Sequence, residues 1–147
     1  SEQWNTLQTI THTAELTKYG KETAGNLLGA NLLHLIWNRM AAAASEPDAG
    51  KFYLYSAHYP TILGLFAALD EDAPSSALPD YAEALILEYH VEDGGTEPHV
   101  LFKYKKGGDL IETLTLGDVC GNRHKCPFHK FTEHVQTMPS AEEWCLQ

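Results

Sequence analysis

His58 and Tyr59 lie where an apolar run gives way to a helical pattern. Residues 51–56, K-F-Y-L-Y-S, have the aromatic and apolar composition of a buried β-strand. Pro60 then precedes apolar residues spaced as one helix face over positions 62–69. Open α/β sheets bind ligands where a strand turns into a helix, and free N–H groups at a helix start suit an anion. The pair therefore predicts an anion site, and the alternative is an ordinary turn in which His58 only caps the helix.

The three cysteines divide into a close pair and a remainder. Cys120 and Cys126 flank the loop G-N-R-H-K, so either they form a local disulfide or they bind a metal together with His124 and His129. No second pair of ligands stands at zinc-finger spacing, which favours the disulfide and predicts no metal site. Cys145 is left over. An odd cysteine in a secreted protein points to a thiol on another chain, and the alternative is a free terminal thiol.

Helical and strand patterns share the rest of the chain. Helices are predicted over residues 1–19, 25–40, 60–69 and 127–138, and strands over 51–56, 81–91, 99–105 and 110–116. The mixture predicts an α/β fold without internal repeats or a domain boundary. The acids 70–72 follow the third helix and are interpreted as a solvated loop rather than as proton donors. Glu88, a carboxylate within a strand, requires a charged or hydrogen-bonding partner.

Composition limits the classes of partner. The 147 residues carry 20 acidic and 10 basic side chains, for a formal charge of −10. A surface of this sign repels nucleic acids and anionic membranes, so neither is an expected partner. No apolar run approaches the roughly 20 residues that a membrane-spanning helix needs.

Five stretches, in order, resemble the histidine acid phosphatases. The distal motif of that family is an apolar strand followed by Ser-Ala-His-Asp and a helix, and residues 55–61 read Y-S-A-H-Y-P-T. The resemblance implies a three-layer α/β sandwich, with a mixed, mainly parallel sheet and helices on both faces, of which residues 1–147 form the C-terminal portion. The other similar stretches are Y-G at 19–20 with helix 25–40, L-P-D-Y-A at 78–82 with L-E at 87–88, Cys120 with C-P-F at 126–128 and Phe131, and E-E-W-C at 142–145.

Two departures from the family pattern bear on catalysis. The proximal motif Arg-His-Gly-x-Arg-x-Pro, which carries the nucleophilic histidine and the phosphate-binding arginines, is absent, and Arg39 and Arg123 are the chain's two arginines. The resemblance therefore implies an N-terminal half on another chain. Tyr59 stands at the position of the proton-donating Asp, and an unperturbed phenol pKa near 10 makes it a poor donor at acidic pH.

The resemblance implies a phosphate-contacting role for His58 in an acid phosphatase that hydrolyses phosphate monoesters. The expected protein has two chains: an N-terminal companion, held by packing and by a disulfide through Cys145, completes the fold, and further homo-oligomerisation is open. This chain alone is not expected to be an enzyme, and no cofactor is expected. The implied location is secreted or lysosomal, as a glycoprotein-type ectodomain. The alternatives are an inactive phosphatase fold that binds a ligand or a protein, and an unrelated α/β binding module.

Overall fold

The fold is α/β, as the sequence predicts. A computed structural model describes residues 1–46, 48–74, 77–92, 97–108 and 110–139. No helix in these ranges is long and apolar enough to cross a membrane. The elements, in chain order, are α1 (Glu2–Lys18), α2 (Gly25–Ser45), α3 (Tyr59–Ala68), β1 (Ala84–His90), β2 (His99–Lys105), β3 (Ile111–Thr113), β4 (Lys125–Pro127) and α4 (Phe128–Thr137).

Strand β2 organises the sheet. It pairs with β1 along its whole length, from Ala84 opposite Lys105 to His90 opposite His99. On its other side, β3 pairs with the end of β2 near Lys105 and β4 with the end near His99. All these pairs are antiparallel, so the described residues contain a small antiparallel sheet with β1 at its edge. The mainly parallel, three-layer sandwich implied by the resemblance is not seen within them.

The core lies between this sheet and the helices. Phe102 of β2 packs edge-on against Phe131 of α4, with ring centroids 5.5 Å apart. Phe66 of α3 packs in the same way against Tyr104, at 5.3 Å. All four rings are buried, and this burial joins α3, β2 and α4 into one hydrophobic body.

Helices α2 and α3 touch backbone to backbone. A Cβ added at Gly29 of α2 would lie 1.9 Å from the carbonyl oxygen of Gly64 in α3, so only glycine permits the approach. Ala30, Leu33 and Leu65 are buried around this contact. The start of α3, which carries His58, is thereby positioned by α2.

Helix α4 is fixed by polar bonds as well as by its rings. The indole Nε1–H of Trp37 in α2 donates to Thr132 Oγ1 at 3.0 Å. The ring Nε2 of His134 lies 2.7 Å from the carbonyl oxygen of Ala68, at the end of α3. Both α2 and α3 are therefore bonded to α4.

The disulfide predicted between Cys120 and Cys126 is confirmed. Both cysteines are buried beside the core. In the part of the chain that the structure describes, no three His, Cys, Asp or Glu side chains are grouped to hold a metal. Cys145 lies outside the described residues, as do the rest of residues 140–147.

The predicted strand at residues 51–56 is wrong for this chain by itself. The segment is irregular and exposed, and no described strand pairs with it. The composition predicted a buried strand, but a strand forms only against a neighbouring strand. Within the described ranges every strand belongs to the sheet around β2.

Candidate functional site

His58 lies at the exposed start of α3. It is the residue before the first helical turn, with an extended backbone (φ −106°, ψ 168°), and its carbonyl accepts the N–H of Thr61 at 3.0 Å. His58 occupies the N-cap position of α3, but its side chain makes no capping hydrogen bond. The ring is exposed and has no hydrogen-bond partner among the described residues.

Tyr59 is tied to α1. Its hydroxyl donates to Oε2 of Glu15 at 2.8 Å, and its ring packs edge-on against Tyr19 with centroids 6.3 Å apart. The hydrogen bond to Glu15 raises the pKa of Tyr59, and loss of solvent raises it further. A phenol whose proton is already held by a carboxylate is a weaker proton donor than a free one.

A cation accompanies this pair on α1. The Lys18 ammonium lies 4.7 Å from the centre of the Tyr19 ring. The bond to Tyr19 and the negative charge of Glu15 raise the pKa of Lys18, so it remains charged at neutral and acidic pH. Lys18 partly opposes the effect of Glu15 on the pKa of Tyr59.

The acids at 70–72 are not a free catalytic set. Glu71 accepts the backbone N–H of Gly117 at 2.5 Å, which makes it a structural link to the loop after β3. Asp70 is paired with the ammonium of Lys21 at 3.6 Å. Asp72 lines a cavity of about 200 Å³ whose lining includes Tyr19 but neither His58 nor Tyr59. The prediction of a solvated loop holds for Asp70 and Asp72, which are exposed, and is wrong for Glu71.

Neither arginine is arranged as a phosphate clamp beside His58. The guanidinium of Arg39 stacks on the ring of Tyr53 at 4.9 Å. Arg123 is exposed, in an isolated backbone bridge with Leu116. The described residues therefore offer an exposed imidazole at a helix start, without a nucleophile and arginines around it.

A second group of charges lies on the sheet. The Glu88 carboxylate accepts from Lys103 Nζ at 2.9 Å and lies 3.1 Å from the ring Nε2 of His90. The bond from Lys103 is the largest cause of a lowered pKa for Glu88, and partial burial opposes it. His90 stacks on the buried His99 with centroids 5.4 Å apart. The predicted partners of Glu88 are thus present, and their role is structural.

Sequence reasoning missed Glu15, and it named Tyr19 only in the Y-G stretch at 19–20, without placing it beside the junction. The Glu15 carboxylate lies 44 residues from Tyr59 in the chain, and no motif connects them. The only signal for Glu15 is its position in the last turns of α1, which ends shortly before α2 begins.

This α/β chain, which has an exposed histidine at the start of α3, is similar along nearly its whole length to acid phosphatases. Prostatic acid phosphatase of Rattus norvegicus is 32% identical over 153 aligned residues, which cover 98% of this chain and 38% of that protein. The Bos taurus protein of the same name is 29% identical with the same coverage. The Homo sapiens protein is 29% identical over 141 residues, which cover 90% of this chain and 35% of its own length.

These similarities support a relationship with the histidine acid phosphatase family. The chain spans less than two fifths of the length of the curated relatives that it matches. No protein-family model matches the chain. No solved structure matches it either.

Proposed function

We propose that residues 1–147 are the C-terminal portion of a histidine acid phosphatase-like protein that hydrolyses phosphate monoesters. The similarity to prostatic acid phosphatases over 98% of the chain carries the proposal. In it, His58 binds the phosphoryl group, and the nucleophilic histidine and the arginine clamp lie on another chain. The imidazole supplies a hydrogen bond to a phosphoryl oxygen, and the first turn of α3 adds its positive dipole end.

Exposed apolar surface supports a companion chain. Helix α1 has no buried residue, and Trp4, Leu7 and Ile10 repeat along one exposed face. Contiguous apolar surface of this kind marks protein interfaces. The companion supplies the N-terminal half, and with it the mainly parallel, three-layer sandwich. A disulfide through Cys145 is part of the same proposal, as is a phosphate or phosphomonoester as the ligand.

The disulfide between Cys120 and Cys126 supports an oxidising location. We place the assembled protein outside the cell or in the lysosomal lumen, where such bonds persist.

A second candidate function is a phosphatase fold without catalysis that serves as a ligand-binding or protein-interaction subunit. The observation that favours it is the bond between Tyr59 and Glu15, because it occupies the hydroxyl at the proton-donor position. General acid catalysis typically contributes 10²–10⁴-fold, so its loss greatly slows turnover without preventing ligand binding.

The test starts from protein purified from its natural source without reductant. Reducing and non-reducing gels with intact mass measurement show whether a second polypeptide is attached and whether Cys145 links it. Hydrolysis of p-nitrophenyl phosphate is then measured for this material and for the recombinant 147-residue chain. The proposal expects turnover by the native material and none by the recombinant chain; turnover by the recombinant chain contradicts it.

A substitution tests whether Tyr59 stands in place of the catalytic acid, and the sequence of the companion separates the two candidate functions. Restoring the carboxylic acid with Tyr59→Asp is expected to raise turnover of the assembled protein. An unchanged or lower rate means that the acid comes from elsewhere. A companion whose own sequence lacks the nucleophilic histidine favours the inactive fold.

A further inference from the structure

Glu15 and Tyr59 form a hydrogen-bonded pair between α1 and α3. The Tyr59 hydroxyl lies 2.8 Å from Oε2 of Glu15, which is one turn before the end of α1. Tyr59 is the first residue of α3 and directly follows His58, the residue that binds the phosphoryl group in the proposed function. Both side chains of the pair are half-buried, so protons can exchange between the pair and the solvent.

The protonation state of Glu15 sets the direction of this hydrogen bond. An ionised carboxylate only accepts hydrogen bonds, whereas a protonated one also donates, and a phenol hydroxyl does both. While Glu15 is ionised, the Tyr59 hydroxyl donates to it and the phenol proton is held there. Once Glu15 is protonated, its carboxyl group can donate to the Tyr59 oxygen, and the phenol proton is then available to another acceptor.

The end of α1 supplies the other groups that surround the pair. The Tyr19 ring packs edge-on against the Tyr59 ring, which fixes the direction of the phenol. The Lys18 ammonium acts on both Glu15 and Tyr59 through its charge, and it packs over the Tyr19 ring. The Tyr59 hydroxyl is the hydrogen-bond partner that the described residues give to the Glu15 carboxylate.

The acids at 70–72 do not take the place of this carboxylate. Glu71 accepts the backbone N–H of Gly117, and Asp70 is paired with Lys21. Asp72 is exposed and lines a cavity whose wall does not include the first residue of α3. Within the described ranges, the carboxylate on α1 is therefore the one that is bonded at the position of the proton donor.

We propose that Glu15 supplies, through Tyr59, the proton that the leaving group takes up in phosphate monoester hydrolysis. As the bond between phosphorus and the leaving oxygen breaks, that oxygen keeps the electron pair and takes the phenol proton of Tyr59. The carboxyl proton of Glu15 passes to the Tyr59 oxygen, so the phenol stays neutral and Glu15 ends ionised. Solvent then returns a proton to Glu15. Tyr59 is the catalytic residue and Glu15 a positioning residue, and the proposal rests on the proposed function for the reaction itself.

This proton relay, from Glu15 through Tyr59 to the leaving oxygen, works only while Glu15 is protonated. Activity that depends on the relay is therefore expected at acidic pH and is lost toward neutral pH. Its substrates are monoesters of aliphatic alcohols, since an alkoxide leaves slowly unless an acid protonates it. At neutral pH the pair is in its ionised form, in which the phenol hydroxyl is occupied.

Two esters with different leaving groups test the relay in the protein purified from its natural source. p-Nitrophenyl phosphate releases a stabilised phenolate that needs little protonation, whereas glycerol 2-phosphate releases an alkoxide that needs a proton. The ratio of kcat/KM for glycerol 2-phosphate to that for p-nitrophenyl phosphate is expected to fall at least about 10-fold between pH 5 and pH 7, because the protonated fraction of a carboxyl group falls steeply over this range. A ratio that stays constant overturns the relay.

Variants identify the source of the proton. Each is co-expressed with the polypeptide identified in the native material, or made within the longer chain, and circular dichroism confirms its fold. Glu15→Gln keeps a hydrogen-bonding side chain without an acidic proton, so kcat/KM at pH 5 is expected to fall at least about 10-fold for glycerol 2-phosphate and to stay within about threefold for p-nitrophenyl phosphate. Glu22→Gln, the matched control, removes the same charge from an exposed side chain and is expected to leave both values within about twofold.

The Tyr59→Asp background separates the relay from a structural role. An acid at position 59 donates its own proton, so adding Glu15→Gln to Tyr59→Asp is expected to change kcat/KM for glycerol 2-phosphate by no more than about twofold. A loss of equal size in both backgrounds, or of equal size for both esters, shows that Glu15 only supports the structure and overturns the relay.

The outcomes also keep the relay and the proposed function apart. If the native protein hydrolyses both esters and Glu15→Gln leaves both values unchanged, the relay is overturned and the proposed function stands. The same holds for native protein that hydrolyses p-nitrophenyl phosphate but not glycerol 2-phosphate. Native protein that hydrolyses neither ester overturns both proposals.

Discussion

Replacing Gly29 by alanine tests how closely α2 positions α3. The added Cβ would lie 1.9 Å from the carbonyl oxygen of Gly64 and 2.9 Å from the Cβ of Ala68. Ordinary contacts at such a carbon begin near 3.4 Å. The obstacle is backbone and cannot rotate away, so the two helices must separate by roughly 1.5 Å, the difference between these distances.

The expected magnitude follows from two opposing effects. Overpacking a core costs about 1–3 kcal/mol, and a backbone obstacle places this site at the upper end of that range. Alanine stabilises a helix interior by about 1 kcal/mol relative to glycine, which offsets part of this cost. The net loss is therefore about 2 kcal/mol in the free energy of unfolding, or a Tm lower by about 6 °C for a chain of this size.

Thermal and urea unfolding, followed by circular dichroism, measure this loss. For a Cβ added at Gly64, the nearest atom is a backbone atom 3.2 Å away. Gly64→Ala is therefore expected to lower the free energy of unfolding by less than Gly29→Ala does. Gly107→Ala is the matched control, because a Cβ there meets nothing within 4 Å, and its effect is expected within about 0.5 kcal/mol of zero. If Gly29→Ala is as stable as Gly107→Ala, the close approach of the helices is refuted.

Three further predictions concern ionisable groups. Tyr59→Phe removes the bond to Glu15 and is expected to speed amide exchange in α1 severalfold; exchange unchanged throughout α1 contradicts the role of that bond. Because Lys103 lowers the pKa of Glu88 in the folded state, Glu88 contributes stability above its unfolded pKa, near 4.5, and loses it as the pH falls further. In urea unfolding, the stability difference between wild type and Glu88→Gln is therefore expected to shrink as the pH falls below about 4.5, and a difference that stays constant as the protein is acidified refutes the assignment. Burial raises the pKa of Tyr104, so the free energy of unfolding is expected to fall as the pH rises above about 10. The free energy of unfolding of Tyr104→Phe is expected to fall less over the same range.

Local patterns sufficed to predict the helices and the strands β1, β2 and β3. Helix α4 begins within a residue of the predicted start, since Pro127 precedes an apolar face that includes Phe131 and Val135. The strand β2 begins and ends at the predicted residues, because the apolar side chains of Val100, Phe102 and Tyr104 recur at every second position. The disulfide was predictable too, because its two cysteines are close in sequence.

Features that depend on distant partners were not predictable. Residues 51–56 have a strand's composition, but strand pairing needs a neighbour that the sequence pattern of the segment does not reveal. Strand β4 has three residues, too few for a periodic signal, and exists because Cys126 pairs with Val100. Around the candidate site, the position of His58 at a helix start follows from Pro60, whereas the link from Tyr59 to Glu15 joins two helices and leaves no trace in either local pattern.

The bonds that fix α4 also bear on the order in which the chain folds. The contact from Trp37 to Thr132 spans 95 residues, and the contact from His134 to Ala68 spans 66. Closing such long loops is entropically costly and slows folding. During synthesis, α2 and α3 leave the ribosome well before α4 is complete, so we expect these two helices to remain loosely packed until α4 emerges.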